Sequence, residues 1–345
     1  MKKMLSGLFV ILPIFMGVIA MDVKTVEAQE QITWRLPAHY PEASPSFRDS
    51  VQAVADKVKE RTDGNFILDT YAAGTIIPGP DTFTSVRRGV VEIGVTSSAY
   101  DLDEVPIFNV VAGLPFPFAS EWEGVYFHKW LGFEEMVQDI LLENHGLLYF
   151  TDRIYTTELS SQVPIESMAD FEGLNIRSSG ILQKYLTSIG AAASFLPGGD
   201  IYTSLASGMM DAAHWGAVQG SSRMGFHEIN KYHLSTPLSV AATDIWVVNK
   251  EAFDKLPEEY QEVLLDTMEE HFWMRTNQYQ YQEALERALV VEKHGVTFTT
   301  LPDDEYAKMQ EAAIEIWDEV AEKSPECAKA IEMIKDFNRE MGRIE

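Results

Sequence analysis

Hydrophobic positions in this chain change their period several times, and the changes mark its elements. Residues 32–38 and 66–71 are apolar-rich runs of strand character. Between them, residues 46–61 repeat their apolar positions at helical spacing and stop at Asp63-Gly64. Arg87-Arg88-Gly89 closes a short helix ahead of a strand at 93–96, and this alternation is the grammar of an α/β fold. Leu114-Pro115-Phe116-Pro117-Phe118 reads as a rigid aromatic loop, followed by a helical stretch over 121–144. A second α/β block opens with 147–160. It continues through a strand at 174–177, a helix around 181–189 and an apolar run at 210–215, with a further strand at 245–248.

The pattern then changes. Between Pro257, suited to a first helical turn, and Lys293 there is no further proline and no glycine, and Gly295 supplies a stop. Unbroken, that stretch spans roughly 55 Å at about 1.5 Å per residue, more than the width of one small domain. It is either a single rod bracing two domains or two helices with a turn near Thr276-Asn277. A last helical region, 303–323, begins with acidic residues that suit a helix N-terminus, and 328–337 follows. Strands of the two blocks are joined directly, so the chain crosses between domains more than once. The reading is a two-lobed α/β protein with a ligand cleft between hinged lobes and a long helix spanning both. Lobe I takes 29–151 plus about 236–262, and lobe II takes 152–235 plus about 263–345.

The N-terminus changes the cellular picture. Met1-Lys2-Lys3 precedes an apolar run over 4–21 and the small-x-small sequence Val26-Glu27-Ala28, as in an export signal of residues 1–28 cleaved near Ala28. A membrane anchor is the alternative, although the run is short for spanning. Cys327 is the sole cysteine, which excludes both an intramolecular disulfide and a lipid-bearing cysteine after the apolar run. About 317 residues remain, enough for two cores. The formal charge is −26, and −27 once residues 1–28 are removed, which argues against nucleic acid or an anionic membrane as partner. An anion bound by such a protein needs a locally positive, shielded pocket.

Motifs for nucleotides, zinc proteases and serine hydrolases are absent, and none of the eight histidines lies three or four residues from another. Acidic pairs such as Asp303-Asp304 are explained by helix starts. Nothing here proposes an enzyme. An exported hydrolase working through Glu158, Asp211 and Asp244 is the rival from another class.

One segment asks for explanation: Met168-Ala169-Asp170-Phe171-Glu172-Gly173-Leu174-Asn175-Ile176-Arg177-Ser178-Ser179-Gly180. A strand here ends at Arg177, and the carboxyl ends of strands are where ligands dock in open α/β sheets. The planar guanidinium could hold a carboxylate through two parallel hydrogen bonds. A surface or salt-bridged arginine is the ordinary alternative.

Asp170-Phe171-Glu172-Gly173-Leu174-Asn175-Ile176-Arg177 resembles the signature of the solute-binding proteins of tripartite ATP-independent periplasmic (TRAP) transporters. The resemblance runs on through Ala73-Gly74, Arg88-Gly89-Val90-Val91-Glu92-Ile93-Gly94, Gly208-Met209-Met210-Asp211-Ala212, Val248-Asn249-Lys250-Glu251 and the long helix after Leu256-Pro257. It implies a periplasmic receptor that binds a small organic acid and delivers it to membrane subunits, with Arg177 as carboxylate anchor. Where many members carry a second arginine, twenty residues before the anchor, this chain has Thr157, so a two-arginine, dicarboxylate site is in doubt. Asp211-Ala212-Ala213-His214-Trp215 resembles the subgroup that binds 2-oxo acids and related monocarboxylates. That subgroup has a glutamate before the tryptophan which helps hold a bridging metal ion. Here it is His214, which favours a hydrogen-bonding role, while Asp244, in the region of Trp215, could supply the missing charge to a cation. Trp215 is expected to wall the pocket. Tyr40 and Phe116 sit at strand ends of the first lobe and could close over the ligand, and Arg153 is a further basic candidate. The same resemblance implies a homodimer through the C-terminal helices, whose apolar faces could equally pack on their own chain. A sulfonate is the other ligand compatible with the anchor.

Overall fold

The computed structural model describes residues 31–344; the signal segment expected at 1–28 and its cleavage near Ala28 lie outside the described residues. Eleven strands are described: β1 (Ile32–Pro37), β2 (Phe66–Tyr71), β3 (Ile93–Ser97), β4 (Leu147–Thr151), β5 (Tyr155–Ser161), β6 (Asn175–Arg177), β7 (Ala192–Ser194), β8 (Ala212–Ala213), β9 (Tyr232–Ala242), β10 (Asp244–Asn249) and β11 (Thr297–Thr299). β1 pairs in parallel with β2, and β10 lies antiparallel between β3 and β4. A parallel bridge from Ala38 to Val95 joins the two groups. The remaining strands form one sheet in the order β11-β9-β5-β8-β6-β7.

The sequence pattern explains both layers. Trp34, Leu36, Phe66, Leu68, Trp246 and Val248 are buried together with Val51, Val54 and Val58 of the first helical segment. All of β10 except Asn249 is buried, as a central strand requires. The chain leaves the first sheet after Thr151 and enters the second at Tyr155. It returns at Thr243, because β9 stays paired with β5 as far as Ala242 opposite Tyr155, beyond the position near 236 read from sequence.

The stretch after Pro257 is one helix, Glu258–His294, with Glu258 and Glu259 in its first turn and Gly295 at its end in the left-handed region (φ 65°). Tyr260, Leu264 and Met268 pack into the first core. Further along, the Tyr279 ring packs at a tilt against Tyr155 of the second sheet, and Val290 packs with Val218 and Val296. The rod reading therefore holds, and no turn occurs at Thr276-Asn277.

Two expectations need correction. The helical stretch at 121–144 is two helices, Glu121–Lys129 and Phe133–His145, because Gly132 adopts φ 82° and reverses the backbone between them. Phe116 does not face a cleft: its ring packs edge-on against Tyr185 and Tyr306 in the core, and the peptide carbonyls of Pro115 and Pro117 accept hydrogen bonds from Trp317 and Asn338. The helices Asp303–Ala321 and Pro325–Glu340 bury Ile316, Trp317, Cys327, Ile334 and Phe337 against their own chain. No described helix is long and apolar enough to cross a membrane.

Candidate ligand-binding site

A cavity of about 60 Å³ opens where the strand ends of both sheets meet the long helix. His39 and Tyr40 follow β1, Ser97 and Tyr100 close β3, and Asp244 starts β10. From the other sheet come Tyr155, Arg177, Ser179, His214 and Trp215, while Tyr279 reaches in from the long helix.

Arg177 is the last residue of β6, held in register between Ala213 and Ser194. Its side chain is buried, and its Nε and Nη1 donate to the peptide carbonyls of Leu196 (3.0 Å) and His214 (3.1 Å). The guanidinium carbon lies 5.3 Å from the Trp215 ring centre and 5.7 Å from that of Phe195, and the Tyr100 hydroxyl also faces the group. Among the described residues no carboxylate comes within ion-pair distance of it. Burial pulls its pKa below the usual arginine range, yet a guanidinium stays charged at any physiological pH. The result is a fixed cation without a counter-ion, with part of its fork left to a ligand.

The cavity's other arginine is differently placed. Arg153 contacts Asp152, donates to the Tyr40 hydroxyl (3.1 Å) and lies 3.4 Å from Asp244. Its face covers the rings of Tyr155 (4.5 Å) and Tyr279 (5.0 Å). Burial alone would raise the Asp152 carboxyl, but Arg153 and a hydrogen bond from His271 hold it well below the usual range. Asp244 also accepts from the Tyr40 hydroxyl (2.8 Å) and lies 3.3 Å from His39 Nε2. His214 shares a hydrogen bond with Ser178 (2.9 Å), and burial, helped by the charge on Arg177, pushes its imidazole down to about 3, so the ring is neutral.

Of the residues singled out from sequence, the cavity gathers Arg177, Trp215, His214, Tyr40, Asp244 and Arg153. Thr157 is buried in β5 opposite Ser239 and, like Phe116, is not part of the wall. His39, Tyr100, Tyr155 and Tyr279 were not singled out. The strand-end argument that found Arg177 also reaches Tyr100, just past β3, and His39, just past β1. Nothing local in the sequence marks Tyr279, which arrives through the course of a long helix.

Residues 38–324 match the profile of bacterial extracellular solute-binding proteins, family 7. The chain belongs to this family. Membership makes it a periplasmic binding protein of TRAP type and not an enzyme. A monocarboxylate 2-oxoacid-binding periplasmic protein of a Nostoc species is 26% identical over 315 residues, covering 90% of this chain and 85% of that protein. A TRAP periplasmic solute-binding protein from Pseudoalteromonas atlantica, solved with sodium and pyruvate, superposes with a TM-score of 0.83 at 23% identity, covering 90% of this chain and 95% of its own. A TRAP solute-binding protein from Bordetella bronchiseptica, solved as a dimer with calcium and picolinate in one active site, superposes with a TM-score of 0.82 at 22% identity, covering 91% and 93%. These likenesses establish the two-lobed fold for this family 7 protein. In both solved relatives a cation accompanies the organic acid.

Proposed function

We propose that this family 7 protein is the receptor of a TRAP transporter for a compact organic monocarboxylate of the 2-oxo or 2-hydroxy acid type, with Arg177 as the carboxylate anchor. The observation that carries the reading is the unpaired charge of Arg177 on the cavity wall. Its two carbonyl contacts and two aromatic neighbours fix the fork, so little side-chain entropy remains to be lost on binding. Arg153 is occupied by Asp152 and Asp244, so Arg177 is the one arginine of the cavity wall without a carboxylate partner among the described residues, which disfavours a dicarboxylate. A cavity of about 60 Å³ holds roughly four to six water-sized positions at 10–15 Å³ each, the size of a three- or four-carbon acid. The Nostoc relative, named for binding monocarboxylate 2-oxo acids, and the Pseudoalteromonas relative, solved with pyruvate, support the same choice.

The lobes in this reading meet at residues 152–154, Thr243 and the long helix, and closure between them excludes water and strengthens the ion pair. Cleavage of the signal segment near Ala28 and delivery to membrane subunits belong to the same proposal. So does self-association, as in the Bordetella relative; with the apolar faces of the C-terminal helices covered, it would use other surfaces, and sedimentation velocity reads it directly.

The test is a thermal-shift screen with pyruvate, lactate, longer 2-oxo acids, dicarboxylates, sulfonates and neutral analogues. Stabilisation by small monocarboxylates, lost in Arg177→Ala while the protein stays folded, is the expected result. Stabilisation by neutral compounds alone would defeat the assignment of the anchor.

A further inference from the structure

Relatives solved with pyruvate or picolinate hold sodium or calcium alongside the acid. The wall of this cavity does not fit such an ion. Its single acidic residue is Asp244, and that carboxylate already accepts from the Tyr40 hydroxyl at 2.8 Å and lies 3.4 Å from Arg153, with His39 Nε2 3.3 Å away. A metal ion bound to Asp244 would lie against a guanidinium that cannot lose its proton. His214 directs Nε2 to Ser178, and its carbonyl is taken by Arg177. A neutral imidazole is also a poor ligand for hard cations, which prefer charged oxygen donors. Among the described residues no group of three or more histidine, cysteine, aspartate or glutamate side chains is placed to hold a metal.

Arg153 is built as a fixed charge of its own. It is 4% exposed, anchored to Asp152 behind the wall, aligned by Tyr40 and packed on the rings of Tyr155 and Tyr279. Its Nε carries no hydrogen bond although the atom is buried. Asp152 in turn accepts from Ser50, Trp246 and His271, so the carboxylate that fixes Arg153 is itself immobile. Arg153 lines the cavity, so a rigidly held guanidinium stands where an acceptor atom of a ligand can meet it.

Resting on the reading of the cavity as a monocarboxylate site, we infer that Arg153 is the resident cation of this receptor: it meets the ligand's second oxygen, while Arg177 takes the carboxylate, and binding requires no metal ion. The division of labour follows from the counter-ions. Asp152 and Asp244 more than offset the charge of Arg153, so it offers hydrogen bonds without attracting a second anionic group, and Arg177 is the arginine with no carboxylate beside it. The ligand class is then an acid with an oxo or hydroxyl oxygen close to its carboxylate. A simple fatty acid of the same length leaves the Arg153 donors unsatisfied and binds more weakly.

The experiment compares pyruvate, L-lactate and propionate by calorimetric titration of protein stripped with chelator. Titrations are run in a sodium-free buffer and repeated with sodium and with calcium. Affinities for pyruvate or lactate that agree within about twofold across the three conditions, with propionate at least tenfold weaker, are expected. A loss of tenfold or more on stripping, restored by either cation, overturns the inference and leaves the receptor reading standing. Failure of every acid to bind in any condition defeats the receptor reading, and this one with it. Arg153→Ala frees Asp152 and Asp244, so its affinity should fall at least tenfold and be partly restored by calcium, a rescue that a purely structural role would not give. Should that variant not fold, Arg153→Lys keeps a charge and should bind more weakly but still independently of metal. Parental affinity in either variant counts against the proposal.

Discussion

A side chain added at Gly180 would place its Cβ 2.7 Å from Cβ of Ala99 and 3.2 Å from its Cα. Ala99 lies in the turn Ser98–Tyr100 that follows β3, and Gly180 begins the helix after β6, so the pair is a contact between the ends of the two sheets beside the cavity. Gly180→Ala should hinder this approach and lower affinity for the stabilising acid at least tenfold, though neither residue touches ligand. The left-handed backbone at Gly180 (φ 61°) adds about 1–2 kcal/mol of strain, a cost borne by the free protein too. Titration and melting of the variant separate the two effects. Unchanged affinity would mean that the contact is not part of the bound form.

The two arginines of the cavity should respond in opposite ways to loss of charge. Arg177 is buried with no acid beside it, so Arg177→Met removes a desolvated charge and should leave the free protein as stable as the parent or more so, while ligand stabilisation disappears. Arg153→Met strands Asp152 and Asp244 and should cost about 3–5 kcal/mol, as when one partner of a buried ion pair is deleted. Urea denaturation of both variants without ligand checks the contrast. Equal destabilisation would show that Arg177 is structurally paired in a way the carbonyl contacts do not suggest.

Where the chain carries strong local punctuation, the fold was legible. Pro257 and Gly295 bound the long helix, β2 coincides with residues 66–71, and β6 ends at Arg177. The break at Gly132 was not legible, because Trp130 and Leu131 continue an apolar helical pattern and only the left-handed glycine interrupts it. Phe116 shows the same limit in three dimensions: an aromatic loop between prolines reads alike whether its ring turns to a cleft or to Tyr185 and Tyr306. Asp152 carried no motif, and its importance arises only where Ser50, Trp246 and His271 converge on it from distant parts of the chain. The same is true of His227 and His233, which are dispersed in sequence yet hydrogen-bonded at 3.0 Å.

Buried titrating groups predict an asymmetric pH dependence of stability. Burial pushes His128, His214, His227 and His233 down to about 3, so each is neutral in the fold and takes up a proton on unfolding below about pH 6.5. That contribution is present above pH 6.5 and lost as pH falls. Burial also pushes Asp101, Glu158 and Glu283 up to about 7, so these carry protons in the fold that the unfolded chain releases above about pH 4.5. Their contribution is present below pH 4 and lost as pH rises through 7. Between about pH 4.5 and 6.5 the two sets oppose each other and stability should be nearly flat. Below that range these three carboxyls are protonated in both states, the histidine contribution goes on falling together with that of Asp152, which the fold holds charged, and stability should fall steeply. Melting temperatures from pH 3.5 to 8 test this; a uniform decline from pH 7 downward would show that the buried carboxyls do not hold protons.

Trp215 should set the length of acid that the cavity accepts. Its indole lies over Gly198, where an added Cβ would come within 2.6 Å of Cη2, and it faces the Arg177 guanidinium at 5.3 Å. Trp215→Leu opens space beside the anchor and removes a cation–π contact of about 0.5–2 kcal/mol. Binding of a three-carbon acid should therefore weaken tenfold or more, while a branched five-carbon 2-oxo acid weakens less or gains, since one methylene in an apolar pocket is worth about 10–200-fold. Gly198→Ala works in the other direction, pressing the indole into the cavity, and should penalise the longer acid first. Competition titrations with the two acids in both variants read the ratio. A ratio unchanged in both would remove Trp215 from the part of the wall that meets the ligand's carbon chain.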